Sequence, residues 1–290
     1  MPIASPSPIT VALAALVLLL ASGTPAAQPM AGSAAALRAA MPAEKDGAAQ
    51  REAGWTVAST QDDGAVSGSL QGVVARGFDD IATALGSAQA WCEVLILDPN
   101  IHRCQVRAAS GAASQPRVEV AFGSPPSPLV LVLSRTASSD YLRVTLTARD
   151  GPLGTHDYAM ALEAAPLAEG RSVVRLAFAQ RFGIAGRLAM NAYFTTVARG
   201  KVGFTVVARD AAGGPVRVGD LRGAVERNLV RQWLALGTYL DARAGAPADL
   251  AQRRVDAWLA GTARYPLQLA EEDGYRARKV PEVRSQLAGD

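Results

Sequence analysis

Three strand-length segments follow one another from Tyr141 to Gln180, joined by turns too short to hold a helix, and they constrain this chain most. Tyr141 to Arg149 alternates, with Leu142, Val144 and Leu146 on one face and Arg143, Thr145 and Thr147 on the other. Asp150-Gly151-Pro152-Leu153-Gly154 turns the chain, and Thr155 to Ala164 runs back. Ala168-Glu169-Gly170 turns it again, into a strand over Arg171 to Gln180. A parallel pair needs a crossover of about a dozen residues, so connections this short require antiparallel neighbours. Upstream, Ile101 to Ala108 reads as extended. Val118, Val120 and Phe122 alternate, and Leu129 to Leu133 is an apolar run after the prolines at 125, 126 and 128. The pattern predicts an antiparallel meander.

Helical periodicity brackets that meander. Val66, Gly68, Leu70, Gly72 and Val74 first give a half-buried strand, whose two glycines suit a bend or a close backbone approach. Phe78, Ile81 and Leu85 then fall on one helix face, with Asp79 and Asp80 in the first turn, where the dipole favours anions. Ser87 is placed to cap a second short helix through Trp91, Val94 and Leu95. After the meander a helix is expected from Ile184 to about Ala198, then a small hairpin over Val202 to Val218. The strongest helix follows. Leu221, Val225, Leu229, Trp233, Leu236 and Leu240 form one apolar stripe, with Arg227 and Arg231 on another face expected to meet water. Arg222 and Glu226 read as an i,i+4 surface pair. Residues 246–290 read as shorter helices and frayed chain.

Strand, two short helices, antiparallel strands and a long amphipathic helix make an order that resembles the helix-grip fold of START-like domains (the SRPBCC superfamily). The resemblance covers about Ala65 to Ala242 and rests on element order. It implies an α+β fold in which a curved antiparallel sheet wraps a long C-terminal helix and leaves a cavity between them. It also implies a ligand class, since START-like relatives bind lipids, polyketides, hormones or aromatic molecules and a few catalyse cyclisation. The helix and hairpin expected at 184–218 depart from the plain pattern. Ala90-Trp-Cys-Glu-Val-Leu-Ile96 and Arg149-Asp-Gly-Pro-Leu-Gly154 are also similar to segments of uncharacterised secreted proteobacterial proteins, which implies no activity.

The N-terminus reads as an address. Val11 to Leu20 is uncharged and apolar, and small residues follow, so residues 1–27 are expected to be an export signal cut after Gly23 or Ala27. The run falls short of the roughly 20 apolar residues a spanning helix needs, so no stable membrane span is expected once it is removed. Residues 1–10 hold no Lys or Arg, and a start at Met30 or Met41 with a cytosolic product is the competing reading. Residues 28–60 are expected to be a flexible leader, 61–245 the helix-grip-like domain and 246–290 a helical extension. With the signal gone, roughly 260 residues remain, enough to bury about 70% of the unfolded surface in one domain. The expected location is periplasmic or secreted.

A net charge of +3 and three lysines beside many arginines give no basic strip with interleaved aromatics, so nucleic acid is not an expected partner. The Arg bias reads as that of a GC-rich genome, which also favours Ala and Gly, ahead of the competing reading, recognition of carboxylate or phosphate. Cys92 and Cys104 lie 12 apart; in an oxidising compartment such a pair is expected to form a disulfide. The competing reading makes Cys104 a thiolate nucleophile beside His102. No nucleophile elbow, phosphate loop or dinucleotide fingerprint occurs, and neither histidine has a zinc-ligand spacing, so no metal and no cofactor are expected.

For the site, Arg149, Asp150, His156, Asp157 and Tyr158 cluster around one hairpin, and His156 is the candidate general base. The simpler reading is a solvated surface hairpin, with Asp157 pointing opposite to His156. If a cavity exists, its polar contacts are expected from Tyr141 and Arg143 or from His156 and Tyr158, with Trp233 and Tyr239 touching the ligand from the long helix. The expected function is a non-enzymatic carrier or binding module for an apolar small molecule or lipid. The alternatives are an enzyme with a Cys/His or His/Asp site, or an interaction protein that docks an envelope partner through its Arg-bearing C-terminal helices.

Overall fold

The computed structural model describes residues 30–41, 54–107, 115–151, 154–183, 186, 200–243, 245–271 and 273–289. The expected export signal, and nearly all of the helix expected from Ile184 to Ala198, lie outside them.

Strand β1 (Trp55–Gln61) turns back into β2 (Ala65–Val74), and two short helices, α2 (Phe78–Leu85) and α3 (Ala88–Leu95), carry the chain to the far side of the sheet. From there β3 (Ile101–Arg107), β4 (Arg117–Phe122), β5 (Ser127–Ala137), β6 (Leu142–Asp150), β7 (Thr155–Pro166) and β8 (Ser172–Phe182) return strand by strand. The order in the sheet is β1-β2-β8-β7-β6-β5-β4-β3, antiparallel throughout. β9 (Val206–Arg209) and β10 (Pro215–Arg217) form the expected small hairpin. The long helix α4 (Asp220–Asp241) then lies across the curved sheet, and α5 (Pro247–Thr262), α6 (Pro266–Leu269) and α7 (Tyr275–Ala288) complete the chain. This is the α+β helix-grip layout.

Local chemistry explains the elements. In β6, Leu142, Val144, Leu146 and Ala148 are buried while Thr147 is exposed, a half-buried strand pointing its apolar face into the core. Ser87 caps α3, its Oγ accepting from Ala90 N at 3.2 Å. The glycines of β2 serve close approach. A Cβ at Gly68 would sit 2.7 Å from Val225 Cγ1 and 3.0 Å from the Ala58 carbonyl; one at Gly72 would sit 2.8 Å from the Trp233 ring. So α4 rests directly on the β2 backbone.

Three expectations are corrected. Residues 28–60 are not leader throughout. The sheet begins at Trp55, and α1 (Ala34–Ala39) docks on the outer face of the sheet. Leu37 of α1 is fully buried beside Tyr141, Ala165 and Val173, and Gln71 Nε2 donates to the Leu37 carbonyl at 3.2 Å. Arg227 and Arg231 do not face water. Arg227 is buried, and Arg231 Nη2 pairs with Glu271 at 2.7 Å. Glu226 is a buried anchor with no ion pair to Arg222. Its two oxygens accept from Ser59 Oγ (2.7 Å), Phe204 N (2.7 Å), Thr205 N (2.8 Å) and Thr205 Oγ1 (2.7 Å). Periodicity places Glu226 off the apolar stripe; it cannot show that residues 203–205 fold over that side.

The C-terminal extension is packed helix. Trp258 of α5 stacks on Tyr275 of α7 with centroids 4.8 Å apart. The Arg254 guanidinium pairs with Glu93 of α3 at 2.8 Å.

A candidate ligand cavity between the sheet and the long helix

A cavity of about 230 Å³ lies between α4, α3 and the inner face of strands β4, β5, β7 and β8. Its floor comes from buried residues, among them Leu95 and Trp91 of α3, Val120 of β4 and Leu229 and Leu236 of α4. Its rim carries half-buried or exposed ones: Phe122, Tyr158, Phe178, Gln180, Ala224 and Asn228. Among the described residues, no Lys, Arg or His lines it. An apolar chamber with few polar groups is the usual character of a small-molecule site.

Sequence and structure part company residue by residue here. Tyr158 lines the cavity, edge-on to Phe178 with centroids 5.8 Å apart, and Thr155 Oγ1 donates to its hydroxyl at 3.2 Å. Burial pushes the Tyr158 phenol up from its ordinary value, against the pull of that hydrogen bond. Tyr141 and Arg143 are placed on the opposite side of the sheet. Leu142, Val144 and Leu146 take the inner face, so their odd-numbered neighbours take the outer one. There the Tyr141 hydroxyl donates to Glu163 Oε1 at 2.5 Å, and burial, then Glu163, raise its pKa.

His156 lies outside the cavity although it is two positions from Tyr158, the spacing that shares a strand face. A β-bulge falls between His156 and Ala159, and Asp157 adopts a left-handed backbone (φ 53°). The bulge resets the alternation and brings Asp157 Oδ2 to 3.0 Å from His156 Nδ1, which corrects the expectation that the two side chains diverge. The pair stands at the surface, with side-chain exposures of 42% and 58%. Trp233 is half-buried over Gly72 and lines a separate groove between α4 and α5, away from the cavity. The stripe turns slowly around the helix, so its members do not all meet one chamber. Tyr239 is buried, its hydroxyl donating to the Ala84 carbonyl at 3.1 Å.

Cys92 of α3 and Cys104 of β3 are joined in a disulfide, so the chain holds no free thiol and the Cys104–His102 nucleophile is excluded in this state. His102 Nδ1 instead meets Glu282 Oε1 at 3.1 Å. The disulfide fixes α3, which presents Trp91, Val94 and Leu95 to the cavity.

The alternation signals missed the polar floor. Asp98, in the turn after α3, and Gln232 of α4 are both buried and both line the cavity. Gln232 Nε2 donates to Asp98 Oδ2 at 3.2 Å. Asp98 Oδ1 accepts from Asn100 N (2.8 Å) and Asn100 Nδ2 (3.3 Å). Asp98-Pro99-Asn100 reads from sequence as a turn and nothing more, and Gln232 falls between stripe positions.

No family model and no curated protein matches the chain. Among solved structures it is similar to norcoclaurine synthase from Thalictrum flavum: 14% identity over 50% of this chain and 87% of that one, TM-score 0.33. Human StAR-related lipid transfer protein 5 gives 12% identity over 49% and 80%, TM-score 0.31. A START superfamily protein from Mycobacterium smegmatis gives 15% over 47% and 90%, TM-score 0.31. These likenesses concern the fold alone. The helix-grip description rests on the strand order and on the seat of α4.

Proposed function

We propose that this chain is an exported, non-enzymatic binding module for an apolar small molecule held between the sheet and α4. The cavity of about 230 Å³ carries the reading. It exceeds the roughly 150 Å³ that suffices to hold benzene, which suits a ligand of one or two rings or an acyl chain. Export is supported by the Val11–Leu20 run with its small-residue tail, and by a disulfide that persists in oxidising compartments. A binding role without catalysis is supported by the paired cysteines and by a surface His156–Asp157 pair outside the cavity lining. Docking of an envelope partner has less support, because α5 and α7 bury Trp258, Tyr275 and Val283 against their own domain.

Native mass spectrometry of protein recovered separately from the periplasmic and cytosolic fractions of the expressing cell tests this. A cleaved chain carrying an extra small mass, released by organic solvent and diminished in Ala224→Phe at the rim, is the expected result. An uncleaved cytosolic chain contradicts export. A bare mass, with no thermal shift across apolar compounds, contradicts the binding role.

A further inference from the structure

The buried end of the cavity is built to accept a hydrogen bond. Gln232 is 8% exposed, and its amide is oriented by Asp98. Three donors already converge on the Asp98 side chain, so its oxygens act as acceptors and the Gln232 NH₂ must point at them. That leaves Gln232 Oε1, which is buried, belongs to a cavity-lining side chain and accepts no hydrogen bond among the described residues. A buried acceptor without a donor carries a desolvation cost that a ligand donor removes.

The C-terminal helices hold this end in place. The Tyr275 hydroxyl donates to the Leu97 carbonyl at 2.6 Å, and Lys279 Nζ donates to the Ile101 carbonyl. The turn bearing Asp98 lies between those two carbonyls. It is clamped from behind by α7 while Gln232 meets it from α4.

Building on the binding role proposed above, we infer that the ligand is an uncharged apolar molecule with one terminal hydroxyl, an alcohol or a phenol, which donates to Gln232 Oε1 at the cavity floor. Carboxylate and phosphate ligands are disfavoured on two grounds. An anion brings no donor to Oε1, and it would meet the Asp98 carboxyl group at a floor where no Lys, Arg or His is among the described lining residues. The hydroxyl is the buried end of the ligand, and the apolar body extends toward Phe122, Tyr158 and Phe178 at the rim.

Calorimetric titration of the disulfide-intact protein with p-cresol, its methyl ether, toluene and 4-methylbenzoate separates the two layers of the reading. The expected result is p-cresol binding about tenfold more tightly than the ether or toluene, with the benzoate weakest. In Gln232→Met, which keeps the length and removes the acceptor, the cresol preference falls below about threefold while toluene still binds. Equal affinity for cresol, ether and toluene overturns the donor inference and leaves the binding role standing. Tightest binding of the benzoate overturns it as well. If none of the four binds, the cavity reading and this inference fail together. Should the variant not fold, the four-ligand series on the unaltered chain still decides.

Discussion

Glu226 ties α4 to β1 and to the segment before β9, because four donors from two chain segments end on one buried carboxylate. Glu226→Gln keeps the shape but turns an NH₂ toward groups that are themselves donors. Orphaning buried partners in this way costs about 2–4 kcal/mol. The melting temperature is expected to fall by several degrees, since about 1 kcal/mol corresponds to 2–4 °C in a domain of this size. Differential scanning calorimetry reads this directly, and an unchanged melting temperature contradicts the anchoring role. Much at this scale was illegible beforehand. A glutamate four residues from an arginine on a helix looks like a surface pair, and only tertiary folding of 203–205 makes it a buried acceptor. Gly68 and Gly72 could be read, since a glycine repeated within a strand signals close approach and α4 fills that space. Among the site residues Tyr158 was accessible from alternation; His156 was lost to a bulge that alternation cannot foresee.

At the scale of elements, α3 is one wall of the cavity and is pinned at two points. It is held by the Cys92–Cys104 disulfide to β3 and by Arg254–Glu93 to α5. Closing a loop of this length contributes about 3 kcal/mol on the chain-entropy model. Cys92→Ala with Cys104→Ala is expected to lower unfolding stability by about that amount in urea titration. It is also expected to weaken binding of any cavity ligand, because Trp91, Val94 and Leu95 lose their fixed position. Full stability of the double variant contradicts the first expectation; unchanged affinity contradicts the second. Strands β2 to β8 and the helices α2, α3 and α4 were legible because short, strictly periodic segments between clear turns leave little choice. The N-terminal helix α1 was not, since six Ala-rich residues carry no periodicity until Leu37 finds the outer face of the sheet. The C-terminal helices were visible as elements, but their role as a clamp on the Asp98 turn depends on hydrogen bonds to backbone carbonyls that no residue pattern announces.

At the scale of the whole molecule, buried ionisable groups set the response to alkali. Tyr141, Tyr158, Tyr239 and Tyr275 all have phenols raised above their ordinary 10.0, each chiefly by burial. Above pH 10 the folded chain therefore holds protons that the unfolded chain releases, and stability falls as pH rises further. Lys279 works in the opposite sense. Burial lowers it from 10.5, against Glu282, so below that value the folded chain gives up a proton first and stability rises with pH. Urea midpoints are expected to climb toward about pH 10 and then drop. Lys279→Met should flatten the climb and leave the drop. A phenolate titration in which these four tyrosines ionise freely in the folded chain contradicts this.

The cavity itself is tested most directly by methyl NMR with toluene as a neutral apolar probe. Saturable shifts confined to Leu95, Leu129, Leu176, Leu229 and Leu236, absent in Ala224→Phe, are the expected result. No saturable shift, or shifts centred on Leu234 in the groove between α4 and α5, would mean that the space under the long helix is not a ligand site.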